Sequence, residues 1–78
     1  MKFQKPSRSF YEIRVEGELG DMWASWFEGL LMHKEIDEED KITITVLSGP
    51  LTDQPALFGV LNKIQDLNLP LISVIRRK

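Results

Sequence analysis

The sequence predicts an α+β domain of the ferredoxin-like kind, a β-α-β-β-α-β plait. Three observations lead there. Apolar and polar residues alternate around residues 11–16 and again over 41–47, the period-two mark of half-buried strands. Two other stretches, beginning at Trp23 and Leu57, repeat apolar residues at three- and four-residue spacings, the mark of a helix with one apolar face. Clusters of glycine, proline and acidic residues separate these stretches where the chain must turn.

Residues 1–9 are polar and basic, hold Pro6 and show no periodicity, so they are expected to form a flexible tail ahead of a single domain over 10–78. In the first strand Tyr11, Ile13 and Val15 point one way and Glu12, Arg14 and Glu16 the other, with Gly17 and Gly20 bracketing the exit. Asp21 suits a helix N-cap, Trp23, Trp26, Phe27 and Leu30 fall on one helical face, and Gly29 is expected to end that helix. Leu30, Met32 and Ile36 share one parity, which favours a second strand over 30–36 rather than a helix continuing through His33.

Asp37-Glu38-Glu39-Asp40 forms an acidic turn into a third strand, Lys41 to Leu47, with Ile42, Ile44 and Val46 expected inward and Thr43 and Thr45 outward. Ser48-Gly49-Pro50 breaks that strand. Thr52 or Asp53 then caps a second helix, with Pro55 tolerated in its first turn and Leu57, Val60, Leu61, Ile64 and Leu67 forming its apolar stripe. Asn68 suits a left-handed C-terminal position, and Leu69 to Ile75 makes the last strand, where Pro70 favours a sheet edge. In that strand either Leu71 and Ile75 or Ile72 and Val74 must face outward.

Right-handed crossovers then give an antiparallel sheet of order 4-1-3-2 with two helices on one face. This topology separates the charges. Glu16, Glu18 and Asp21 in the first exit loop meet Asp37, Glu38, Glu39 and Asp40 of the hairpin at one end. Lys2, Lys5 and Arg8 meet Arg76, Arg77 and Lys78 at the other. Solvated loop ends account for both groups. A cationic partner or divalent ion at the acidic end and an anion at the basic end are the functional alternatives, since helix N-termini favour anions.

Composition excludes several classes. The 78-residue chain is 42% hydrophobic and 28% charged, as ordinary globular domains are. It has no cysteine, which removes disulfides and thiolate metal sites, and a chain this small without such staples is a candidate for dimerisation. A net charge of −2 argues against a general nucleic-acid binder. No apolar run approaches the roughly 20 residues of a membrane span, and the start lacks the apolar stretch of a signal peptide, so a cytoplasmic protein is expected.

The search for chemistry assigns no catalytic residue, cofactor or metal ligand. His33 is the one histidine and has no cysteine partners for zinc. Gly17-Glu18-Leu19-Gly20 has neither the dinucleotide fingerprint nor the lysine of a phosphate loop. Loop-end carboxylates in water lack the pocket that drives two pKa values apart. An RNA-recognition surface needs stacking aromatics on the open sheet face, where Glu12, Arg14, Glu16, Thr43 and Thr45 are expected instead. The indoles of Trp23 and Trp26 are expected to close the core, with one left partly exposed. Leu47, Phe58, Ile72 and Val74 make a candidate apolar patch.

Asp53-Gln54-Pro55-Ala56-Leu57-Phe58-Gly59-Val60-Leu61, with Asp66-Leu67 and Leu69-Pro70-Leu71-Ile72-Ser73-Val74, resembles the C-terminal signature of a family of short microbial proteins of uncharacterised function. Tyr11 to Gly17 and Trp23 to Leu30 resemble that family's first half. The resemblance covers roughly residues 10–75 and implies no activity; the chain departs from it at Asn68, where the family often has glycine. Gly17 and Gly20 give a looser likeness to ACT-type regulatory domains, which share the plait and imply small-molecule binding. The resulting expectation is a non-enzymatic interaction module that forms a homodimer or binds a protein partner. The alternative is an ACT-like small-molecule-sensing domain, and a small enzyme on the same plait comes third.

Overall fold

The computed structural model describes residues 9–20, 23, 26–27, 29–51 and 54–77. Their element order is β1 (Ser9–Glu16), β2 (Leu31–Asp37), β3 (Ile42–Leu51), α1 (Gln54–Asp66) and β4 (Leu71–Arg77). The chain is therefore α+β, with four antiparallel strands in the order β2-β3-β1-β4. Counted from the β4 edge this reads 4-1-3-2.

The departure from the expected plait lies in its helices. Among the described residues there is one helix, α1, and not two. Trp23, Trp26 and Phe27 belong to 3₁₀ turns, with Trp23 N–H bonded to the Gly20 carbonyl and Leu30 N–H to the Phe27 carbonyl, each three residues back. Such bonds close tighter rings than an α-helix and rarely extend beyond a turn. The proposed caps, Asp21 for the first helix and Thr52 or Asp53 for the second, lie outside the described residues, as do 22, 24, 25, 28, 78 and residues 1–8.

Segment 31–37 is a strand, and its register against β3 is continuous from Leu31 opposite Ser48 to Asp37 opposite Ile42. β3 corrects the sequence reading in two ways. It runs on through Ser48-Gly49-Pro50 to Leu51, and its faces are reversed. Ile13 pairs with Leu47 and Val15 with Thr45, so Thr43, Thr45 and Leu47 lie on the α1 side; Ile42, Ile44 and Val46 lie on the open side with Glu12, Arg14 and Glu16. Leu47 and Thr45 are both 0% exposed.

Thr45 tolerates that burial because its hydroxyl is fully used. Oγ1 donates to the Gly17 carbonyl at 2.7 Å and accepts from the Leu19 N–H at 3.3 Å, fastening the β1 exit loop to the sheet. Gly49 shares the same face. A Cβ there would lie 2.6 Å from the Gly29 carbonyl oxygen, so only glycine lets that turn pack against β3.

In α1 Pro55 occupies the first turn, where no intrahelical N–H is needed. The helix ends in a Schellman motif. Leu69 N–H reaches the Ile64 carbonyl, Asn68 N–H the Gln65 carbonyl, and Asn68 sits at φ 62°. Leu67 and Leu69 then fold back on a core built from Ile13, Val15, Leu19, Phe27, Leu30, Leu47, Leu51, Val60 and Ile64.

Candidate functional site

Three surfaces on this frame carry side chains without an evident packing partner or with an unusual grouping. The first is the open face of the sheet. Arg14 donates from Nη2 and Nε to Glu12 Oε2 (2.7 and 3.0 Å) and from Nη1 to Glu35 Oε1 (2.6 Å). Arg77 reaches the other oxygen of Glu12 at 3.1 Å, and His33 Nε2 lies 3.2 Å from Glu35 Oε2. Strand alternation places these five residues on one face, and the chain of contacts runs from β2 to β4. The Arg14 bonds hold the Glu12 and Glu35 carboxyls below the ordinary glutamate value. The guanidinium is in turn raised by its bonds to Glu35 and Glu12. Every charge in the network is compensated, which gives it a structural role.

The second surface is the β4 edge. Leu71, Ile72, Val74 and Ile75 are between 37% and 50% exposed. Register puts Leu71 and Val74 on the α1 side, opposite Val15 and Ile13, and Ser73 and Ile75 on the open side, opposite Arg14 and Glu12. A bulge between them absorbs Ile72. α1 leaves a hollow of 290 Å³ beside β4, walled by Leu61, Ile64, Gln65, Leu69 and Leu71. Exposed Phe58 lies on the same helical stripe as Leu61 and Gln65.

The third is a cleft of 390 Å³ on the other flank of α1, between the helix and the aromatic turn, lined by Trp26, Phe27, Leu51, Ala56, Gly59, Val60 and Lys63. The Trp23 and Trp26 rings pack 4.7 Å apart, and Phe27 meets Trp26 edge-on at 6.3 Å. Lys63 Nζ donates to the Trp26 carbonyl at 2.6 Å and stands 5.9 Å from its ring centroid.

The residues singled out in the sequence distribute unevenly over these surfaces. Glu16 and the hairpin residues Asp37, Glu38, Glu39 and Asp40 do share one end of the sheet. Asp37 Oδ1 accepts from the Glu39 and Asp40 amides, so it serves the turn itself, and Glu18 is paired with Lys34 at 2.7 Å. Arg76 and Arg77 lie at the opposite end, bonded to Ser9 Oγ and Glu12, while Asp21, Arg8 and Lys78 fall outside the described residues. Of the four residues expected in an apolar patch, Phe58, Ile72 and Val74 are exposed and Leu47 is core. The cleft and the role of Lys63 went unnoticed in sequence; a lysine one turn after a mid-helix glycine was the available signal. Among the described residues no group of three or more histidine, cysteine, aspartate or glutamate side chains is placed to hold a metal ion, and no helix is long and apolar enough to cross a membrane.

Among the described residues, fold and surfaces define a small α+β domain with one helix on a four-stranded antiparallel sheet whose β4 edge is apolar. The chain belongs to the family described as a domain of unknown function (DUF8691), which matches residues 10–75. No curated protein and no solved structure matches it significantly.

Proposed function

We propose that this domain is a non-enzymatic, cytoplasmic interaction module that self-associates through the β4 edge. The observation that carries it is the run Leu71-Ile72-Ser73-Val74-Ile75, apolar on both faces yet placed at the sheet's margin. A run that is apolar on both faces suits a strand covered on both sides with neighbours on both edges. Free edges are ordinarily blunted by charge. The other edge, β2, follows that rule: His33, Lys34, Glu35 and Asp37 interrupt its exposed Leu31 and Ile36. β4 carries no charge before Arg76.

Sedimentation equilibrium tests the proposal. A dimer is expected at high micromolar concentration, and Val74→Lys is expected to yield a monomer with unchanged circular dichroism. A strict monomer of the unaltered chain across that range overturns it.

A second reading, an ACT-like domain that senses a small molecule, has the cleft between α1 and the aromatic turn in its favour. A ligand at a hundredfold its dissociation constant would stabilise the fold by about 2.7 kcal/mol. A flat thermal-shift response across amino acids, nucleotides and organic acids counts against it.

A further inference from the structure

We propose that the cleft between α1 and the aromatic turn binds a small aromatic carboxylate. The proposal deepens the small-molecule reading and does not depend on self-association. Its volume, 390 Å³, falls within the range of small-molecule sites. Leu51 and Val60 are buried core residues at its base, and the Trp26 indole forms an exposed wall, braced by Trp23 and Phe27. An aromatic ring of a ligand would find the offset or edge-on contacts that aromatic pairs prefer.

Gly59 is the observation that packing does not explain. Glycine weakens a helix interior relative to alanine, and a Cβ at this position would meet nothing within 4 Å. No neighbour of the described fold requires the missing side chain; a ligand seated against the helix backbone would. Lys63, one turn further along the same flank, supplies the charge. It uses a single Nζ hydrogen bond, to the Trp26 carbonyl, and an ammonium has three donors. Among the described residues no carboxylate lines the cleft or pairs with Lys63. The site therefore complements an anion attached to an apolar body.

The test titrates phenylacetate into the full chain, followed by tryptophan fluorescence and by amide chemical shifts. Saturable binding is expected, with shifts centred on Leu51, Gly59 and Lys63. Benzylamine, of similar shape and opposite charge, is expected to bind at least about tenfold more weakly. Lys63→Met, which keeps the apolar stem, is expected to cost about tenfold in affinity, Lys63→Arg to restore it, and Gly59→Leu to abolish binding with helicity retained. No saturation at millimolar phenylacetate, equal affinity for benzylamine, or an unchanged affinity in Lys63→Met overturns the proposal. Binding by a chain that sediments as a monomer would overturn the self-association reading and leave this one standing.

Discussion

Arg14 on β1 bonds Glu35 on β2 at 2.6 Å, spanning the intervening strand β3. The residue that Arg14 faces on β3 is Val46, which is 1% exposed although, among the described residues, the one helix lies on the other side. The register sets the Arg14 stem beside Val46, and a long cationic side chain lays its methylenes on apolar surface while keeping its head among polar groups. Shortening the stem should therefore matter as much as removing the charge. Arg14→Ala is expected to be about 0.5–1 kcal/mol less stable than Arg14→Met, because alanine also uncovers Val46. Urea unfolding of the two variants measures the difference, and equal midpoints would show that the stem covers nothing.

The same network sets an acid limit on the fold. Glu12 and Glu35 have folded-state pKa values lowered from 4.5, chiefly by their hydrogen bonds to Arg14. A lowered value means the folded state binds the proton less readily than the unfolded chain. The stabilisation is complete above pH 4.5 and is lost as pH falls through the lowered values. Thermal midpoints recorded from pH 6 downward should drop more gently in Glu12→Gln/Glu35→Gln than in the parent. Parallel curves would mean that the pairs add nothing in water, the common fate of exposed ion pairs.

The sequence made α1, its cap at Asn68, the strand character of 31–37 and the inward set of β1 legible, because each rests on local periodicity or a local φ requirement. The face of β3 was not legible in the same way. Thr43 and Thr45 alternate with Ile42, Ile44 and Val46, and hydropathy alone turns the threonines outward. Ending the strand at Leu47 hid the decisive residues: Leu47, Gly49 and Leu51 share the threonines' parity and belong to the α1 side. One face of β3 is packed under the helix and Val46 on the other is buried as well, so both are apolar enough to pass for the core. The surfaces divide likewise. The meeting of Glu16 with the Asp37–Asp40 hairpin at one end follows from topology, whereas the cleft arises only once the aromatic turn and α1 are in place.

Thr45 offers a direct check on that reversed face. Its hydroxyl is buried and serves both the Gly17 carbonyl and the Leu19 amide. Thr45→Val keeps the shape and leaves those two backbone groups without their partner, so a loss of about 1–3 kcal/mol is expected. Thr45→Ser retains the bonds and should lose only the methyl contribution. If valine stabilised the domain, the outward orientation read from the sequence would be right after all.

Asn68 and Lys41 both hold left-handed backbone, at φ 62° and 57°. L-residues pay for that region in steric contact with the following carbonyl, about 1–2 kcal/mol, and asparagine less than most. Asn68→Ala is expected to destabilise by about 1 kcal/mol, whereas Lys41→Gly should stabilise by several tenths. Denaturant midpoints give both signs in one experiment.

Two glycines should answer the same substitution with opposite signs. At Gly49 an alanine Cβ would fall 2.6 Å from the Gly29 carbonyl oxygen and 3.2 Å from Leu30 Cα, and backbone atoms cannot rotate aside. A cost of about 1–3 kcal/mol is expected, with the turn at Gly29–Leu30 lifted from β3. At Gly59 the Cβ meets nothing within 4 Å, and the helix gains an alanine in its interior. That substitution should stabilise by about 0.5–1 kcal/mol. A stabilising Gly59→Ala would show that the chain forgoes helix stability at the wall of the cleft, as expected where a ligand rather than a side chain fills the space. A destabilising one would mean that the helix flank is already occupied, and the cleft would lose its strongest support.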